Sequence, residues 1–272
     1  MMFTTSFAYD SRELAETYDR LSDLQLESGE ELVRRMGDLD GARVLDVGCG
    51  TGRLARWIAS DVVGPSGRVV GVDPLAERIA IARAHARDVR FEVAQAEDLG
   101  GFESGSFDAV CMSSVFHWVM DKPRALAETR RVLRPGGRLG VTTISRELGS
   151  AGTLTSALTQ LLERAPYAGR VGRSELAPAR PGLTVTELVT TVLAAGLELS
   201  ELHVEPRRWR CASGEELALF LESSSFGNLF RIVPEELRGA LRVDLVETFE
   251  ARKLGGEIVV KDWITFLVAT RV

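Results

Sequence analysis

Residues 44–52 read Val44-Leu45-Asp46-Val47-Gly48-Cys49-Gly50-Thr51-Gly52. The apolar run at 43–47 has the length and β-branched content of a buried strand, and apolar residues at helical spacing resume at 54. Three glycines at two-residue steps join the two. Glycine tolerates positive φ and lets a ligand approach the backbone, and a loop that opens a helix offers that helix's first N–H groups. The dinucleotide fingerprint G-x-G-x-x-G would place its third glycine at position 53, which is Arg53; the glycine falls at Gly52 instead. A phosphate-binding P-loop would need a lysine in the turn, and none is present. The loop therefore suits a nucleoside ligand without a pyrophosphate.

Working outward, Val69-Val70-Gly71-Val72-Asp73 forms a second short strand that ends on a carboxylate, 21 residues after Gly52. That position suits acceptance of ribose hydroxyls. With Pro74 following, Asp73 would also suit the N-cap of the next helix; its distance from the glycine loop favours the ribose. Further strands are expected at 89–94, 107–112 and 138–143, with helices at 75–86 and 122–133. Pro135-Gly136-Gly137 breaks the second of these helices. Such alternation implies a parallel sheet with right-handed crossovers.

Before the loop, residues 10–37 show apolar positions at three- and four-residue steps and predict one or two amphipathic helices. After it, helices are expected at 152–164 and 185–195, and a strand at 197–204 with room to continue to Cys211. Two more helices, at 214–222 and 234–251, precede a final strand within 257–270. Residues 165–183, rich in Pro, Gly and Arg, read as a loop. The two late helices do not form an ordinary crossover and are read as a cap over the sheet's C-terminal edge. Three regions follow: a helical segment at 1–40 that closes the ligand site, a ligand-binding core at 41–145, and the remainder of the sheet at 146–272. Cap insertions are placed at about 146–183 and 212–256.

Composition narrows the function. Of 272 residues, 45% are hydrophobic and 26% charged, values of an ordinary folded chain. Lys and Arg number 33 against 39 Asp and Glu, leaving −6; a nucleic-acid partner is not expected of so acidic a chain. No apolar run approaches the roughly 20 residues that span a bilayer, and the first ten residues lack a charged lead and an apolar secretion core. The three cysteines, Cys49, Cys111 and Cys211, form no C-x-x-C pair, so neither a disulfide framework nor a metal site is expected. A reducing cytoplasm, with no membrane partner, is the simplest location.

With these features in place the chain resembles the class I, Rossmann-like S-adenosylmethionine-dependent methyltransferases. Within them it is similar to the bacterial branch acting on small molecules, including natural products. Beyond segments 44–52 and 69–74, the resemblance rests on Ala-Gln-Ala-Glu-Asp-Leu (94–99), Ser-Phe-Asp-Ala-Val (106–110), Phe-His-Trp-Val-Met-Asp (116–121) and Arg-Val-Leu-Arg-Pro-Gly-Gly-Arg-Leu (131–139). It covers about residues 40–143, with Tyr18-Asp19 as a weaker match. It implies a seven-stranded, mostly parallel α/β sheet with the last strand antiparallel, helices on both faces and a helical cap over the active site. It implies S-adenosylmethionine as methyl donor, S-adenosylhomocysteine as product, a small-molecule methyl acceptor and no metal.

The resemblance also assigns roles. Gly48, Cys49, Gly50 and Gly52 would lie along the methionine part, and Asp46 would hold its ammonium or organise the loop. Asp73 would bind the ribose, with Pro74 and Leu75 against the adenine. Ala96 would meet the adenine edge through its backbone, with Gln95 or Glu97 nearby; the family commonly has Asp where this chain has Gln95. Ser113 would lie beside the methyl donor, and Tyr18 would close over the methionine end. Cys49 is read as a small residue shaped to the loop rather than as a nucleophile.

His117 is the candidate catalytic or substrate-orienting residue. Methyl transfer to a hydroxyl, phenol or indole releases a proton that a histidine can take. His85 falls on a crossover helix beside Arg83 and Arg87, and His203 lies within a strand. The competing reading makes Phe116-His117-Trp118 a structural turn. An apolar acceptor pocket is expected from the cap insertions, with Tyr167, Phe220, Phe226, Leu229, Phe230 and Ile232 as lining and help from Tyr9. Three alternatives stand beside this one. An arsenite methyltransferase would need converging thiolates. A catalytically silent, donor-binding scaffold would keep the same loop. An RNA methyltransferase is disfavoured by charge and by Ser113-Ser-Val-Phe-His117 standing where an Asn-Pro-Pro-Tyr-like motif would read a base.

Overall fold

A computed structural model describes residues 7–144, 153–170 and 183–272, apart from the side chains of Thr153, Thr155 and Leu229. Much of the expected insertion at 146–183 and of the loop at 165–183 therefore lies outside the described residues, as does the side chain of Leu229. The described chain divides into two compact units. One comprises the described residues of Asp23–Arg146, Pro181–Glu205 and Ile264–Val272, and the other those of Met1–Ser22, Glu147–Arg180 and Pro206–Trp263.

The strands are β1 (Arg43–Val47), β2 (Arg68–Asp73), β3 (Arg90–Val93), β4 (Phe107–Ser113), β5 (Leu133–Ile144), β6 (Leu197–Cys211) and β7 (Ile258–Arg271). They form one seven-stranded sheet in the order β3-β2-β1-β4-β5-β7-β6. The pairings β3–β2, β2–β1, β1–β4 and β4–β5 are parallel, and β7, the last strand, runs antiparallel to β5. This is the sheet expected of a Rossmann-like methyltransferase. Its strand order reverses beside β1, so the turns after β1 and β4 open at the switch point where open α/β sheets bind ligands.

Helices α2 (Asp23–Arg35), α3 (Arg53–Trp57), α4 (Ala76–His85), α5 (Lys122–Val132) and α7 (Val185–Ala194) belong to the sheet unit. A π-helical turn, Ile58–Val62, extends α3. Leu32 of α2 and Met36 just after it join Val44, Ala109, Cys111, Phe266 and Val268 in the core on one face of the sheet. Leu45, Val110, Met112, Val141 and Leu267 meet Leu126 of α5 and Leu188 and Val192 of α7 on the other. The alternation along each strand thus feeds two cores. Gly140 makes room for α2, since a methyl there would lie 2.4 Å from the Met36 sulfur.

Strand β5 departs from expectation. It starts at Leu133, which pairs with Phe107, and the register shifts before Arg138 pairs with Ala109. Pro135, Gly136 and Gly137 fall within that irregularity instead of forming a separate turn. Their sequence stops the helix, but pairing with β4 recruits the backbone on either side of them.

The second unit carries α1 (Arg12–Leu21), α6 (Thr153–Leu162), α8 (Gly214–Ser224) and α9 (Glu235–Glu250). Ser11 caps α1 by accepting from the Leu14 N–H, and Ser213 caps α8 by accepting from Glu216. Pro234 sits at the N-cap of α9 with extended ψ, one residue ahead of the first turn where sequence suggested it. Among the described residues no helix is long and apolar enough to cross a membrane.

Candidate functional site

Asp46 lies on β1 with its side chain on the α2 face, opposite Gly71 of β2 and Cys111 of β4. It is 1% exposed. The Cys111 thiol reaches its Oδ1 at 3.5 Å and the Leu45 carbonyl at 3.7 Å. Asp46 Oδ2 is buried without a hydrogen-bond partner. Burial, and secondarily the like charge of Asp73, push the Asp46 carboxyl up to about 7, against the opposing effect of the Cys111 hydrogen bond.

Gly48, Gly50 and Gly52 all take positive φ, at 74°, 55° and 79°. The Val72 carbonyl accepts from Gly48 N–H at 2.7 Å and from Cys49 N–H at 3.0 Å, holding the loop against the end of β2. Protein crowds two of these glycines: a methyl on Gly48 would lie 2.2 Å from Val115 Cγ2, and one on Gly52 2.7 Å from Phe91. Cys49 is buried, and that burial, then Asp46 and Asp73, raise its thiol well above the ordinary value. It is no thiolate. Gly71 makes room for it, as a methyl there would meet the Cys49 sulfur at 2.9 Å.

Asp73 ends β2 and is 6% exposed. Its Oδ2 accepts from Gly50 N–H and its Oδ1 from Leu75 N–H, each at 2.9 Å. Leu75, not Asp73, is the N-cap residue of α4. The carboxylate thus ties the glycine loop to the start of α4. Pro74 is half-buried and Leu75 is buried beside it.

After β3, Ala96 is buried and Gln95 exposed, with Gln95 bridged to Asp98. Glu97 is held by bonds that the sequence did not suggest. Its Oε1 accepts from Met120 N–H at 3.0 Å and Asp121 N–H at 3.3 Å, and its carbonyl accepts from Arg124 at 2.8 Å. Its carboxylate is thereby engaged with the approach to α5.

Ser113 ends β4, its hydroxyl 3.4 Å from that of Thr142 on β5. Ser114 follows with φ of 58° and donates its N–H to the Thr142 hydroxyl at 2.8 Å and carbonyl at 3.1 Å. That bonding holds a non-glycine residue left-handed and sends the chain into the turn Val115–Trp118, which the Trp118 N–H closes onto Val115 O at 2.7 Å. His117 is 5% exposed. Its Nδ1 lies 3.3 Å from the Thr143 hydroxyl, and its ring is tilted 44° to Trp118 at 5.3 Å. Thr265 lies directly opposite Thr143 across the β5–β7 pair, its buried hydroxyl without a partner.

The sheet unit therefore brings together Asp46, the three glycines, Cys49, Asp73 and, through Val115, the turn that follows Ser113 and bears His117. Tyr18 is half-buried on α1, a helix of the second unit. Tyr167 is fully buried in that unit's own core and donates its O–H to Asp244 at 2.6 Å. Phe220 and Phe230 belong to the same core. These three pack in the core that holds the unit together. Sequence reasoning passed over Cys111, Thr142, Thr143, Val115 and Gly71. The period-two alternation of β4, with Ala109, Cys111 and Ser113 sharing the Asp46 face, is the signal that would have found Cys111.

A methyltransferase-domain family matches residues 45–141. Nocamycin O-methyltransferase of Saccharothrix syringae is 30% identical over 261 residues, covering 89% of this chain and 92% of the relative. Arsenite methyltransferase of Aquipseudomonas alcaligenes is 40% identical over 112 residues, covering 37% of this chain and only 32% of that protein. Among solved structures, geranyl diphosphate C-methyltransferase of Streptomyces coelicolor, in complex with Mg2+, geranyl diphosphate and S-adenosyl-L-homocysteine, superimposes with a TM-score of 0.55. It is 18% identical and covers 96% of this chain and 85% of its own. A sheet of this order, a loop of three left-handed glycines and a relative matched almost end to end converge: the chain belongs to the class I S-adenosylmethionine-dependent methyltransferases.

Proposed function

We propose that the chain methylates a small, apolar or aromatic acceptor, with the sheet-unit residues above as donor site and His117 as proton acceptor or substrate-orienting group. The observation that carries the donor site is Asp46 Oδ2: a buried carboxylate oxygen with no partner, beside a glycine loop, is an orphan that a ligand ammonium would satisfy. Asp73, a buried carboxylate at the end of β2 bonded to the glycine loop, suits the ribose hydroxyls. Ala96 and Leu75 suit the adenine; Gln95 is exposed nearby, whereas Glu97 is engaged elsewhere. Ser113 ends the strand next to β1 and suits the methyl-bearing end.

When bound, the donor supplies a sulfonium methyl group already activated for displacement, so the protein's work is alignment and proton management. Transfer to a hydroxyl, phenol or N–H acceptor forms one bond from acceptor to carbon, breaks one bond from carbon to sulfur and leaves one proton. His117 suits that proton. Its Nδ1 lies 3.3 Å from the Thr143 hydroxyl, a contact that fixes the orientation of the ring.

The arsenite reading is weakened by the thiols. Burial raises all three, Cys211 to about 11 and Cys49 and Cys111 well above the ordinary value, so none is a ready thiolate. A silent scaffold is distinguished by turnover alone.

Calorimetry with S-adenosylmethionine, S-adenosylhomocysteine and NAD tests the donor site. Binding of the first two is expected, with Asp73→Ala weakening it by about 1.5–3 kcal/mol, the range of hydrogen bonds to a charged group. Preference for NAD would overturn the reading. A panel of phenols, indoles and polyketides, followed by mass for the gain of one methyl group and by S-adenosylhomocysteine release, tests the acceptor class. Modification of long RNA or protein alone would overturn it.

A further inference from the structure

The buried thiol of Cys111 has no place in the donor site as described so far, yet it is directed at the one carboxylate oxygen of Asp46 that has a partner. We propose that Cys111 is a positioning residue for Asp46: its thiol holds Oδ1, Oδ2 is left for the ligand's ammonium, and binding of that ammonium is coupled to loss of the carboxyl proton. The inference rests on the donor site proposed above.

Cys111 and Asp46 are register partners on adjacent parallel strands, so their side chains leave the same face side by side. The thiol has one proton and two acceptors in reach, Asp46 Oδ1 at 3.5 Å and the Leu45 carbonyl at 3.7 Å. Ionisation of Asp46 draws that proton toward Oδ1, because a charged acceptor binds more strongly than a neutral one. The groups facing Asp46 explain why it needs the help. Asp73 on β2 carries a like charge, and Cys49 in the loop is a raised, neutral thiol. Helices α2 and α3 bring the apolar residues Leu32, Leu54 and Ala55 to this face, and Met36 follows α2. With burial pushing Asp46 up to about 7, much of the ligand-free protein carries it protonated at neutral pH. The proton leaves to solvent as the ammonium arrives: a carboxyl O–H bond is lost, and an ion pair with Oδ2 replaces it.

Three features can be measured on the intact protein by calorimetry with S-adenosylhomocysteine, which binds without turnover. Below about pH 7.7 its amino group stays a cation. The affinity is expected to rise about 20-fold from pH 5.5 to pH 7.5, as the binding-competent, ionised fraction grows. Buffers of different ionisation enthalpy should report about one proton released per ligand near pH 6. 5′-Methylthioadenosine, which keeps the ribose and adenine but lacks the amino-acid end, should show neither effect; a pH dependence shared with it would assign the proton to Asp73 and overturn the inference. Cys111→Ala should move the midpoint of the affinity profile up by about 0.5–1 pH unit through loss of the donor to the charged form, and Cys111→Ser should restore it. A purely structural thiol would instead lower affinity equally at every pH. Flat affinity without proton release, in a protein that binds S-adenosylhomocysteine, overturns the inference and leaves the donor site standing. Absence of binding by S-adenosylhomocysteine and S-adenosylmethionine overturns the donor site itself.

Discussion

The turns that follow β1 and β4 leave the same edge of the sheet from adjacent parallel strands, and they solve one steric problem in opposite ways. Both need a left-handed residue to reverse direction. After β1 the need is met by Gly48, Gly50 and Gly52, which adopt positive φ at no steric cost. After β4 it falls on Ser114, whose conformation costs roughly 1–2 kcal/mol for a residue with a Cβ. Two hydrogen bonds from its N–H to Thr142 offset that cost. The first turn carries its information in its own residues; the second borrows it from β5. The two are also joined, because Val115 of the second fills the space that a side chain on Gly48 would occupy.

The comparison breaks most visibly at Gly48. Gly48→Ala combines a left-handed φ with a methyl 2.2 Å from Val115, so stability should fall by about 2–4 kcal/mol and donor binding should be lost. Thermal melts and calorimetry check both. Adding Val115→Ala should recover the part due to crowding and leave the part due to φ, which separates the two causes in one double-mutant cycle.

The next effect is kinetic. His117→Ala should leave donor affinity unchanged and lower kcat about 10²-fold, the usual loss for a removed general base. If kcat stays near the parent value while the melting temperature falls, His117 belongs to the turn's structure. The smallest effect is expected at Thr142. Thr142→Val removes one acceptor from the Ser114 N–H but leaves the backbone carbonyl, so stability should drop by about 1 kcal/mol. A loss much larger than that would mean the hydroxyl alone holds the left-handed serine.

The same contrast explains what could be seen in the sequence. The strand at 43–47, the glycine turn and the carboxylate at Asp73 were legible because each depends on residues within a few positions. The extent of β5 was not, since Pro135-Gly136-Gly137 reads as a break and only pairing with β4 carries the strand through it. The partners of the Glu97 carboxylate, the N–H groups of Met120 and Asp121, could not be read from the sequence either. The burial of Tyr167 in a core and its bond to Asp244, 77 residues away, could not be read from the sequence.

By itself, then, the sequence determined the alternation of strands and helices, the left-handed glycine loop and the identity of the two acidic residues beside it. Backbone conformation and hydrophobic period are local properties, written within a turn or two of chain. Tertiary structure alone decided which partner each polar group found: Cys111 for Asp46, Gly50 for Asp73, Thr143 for His117. Those pairings join strands separated by tens of residues. They set burial and hydrogen bonding, and hence the protonation of Asp46, through a spatial arrangement that no short stretch of chain contains.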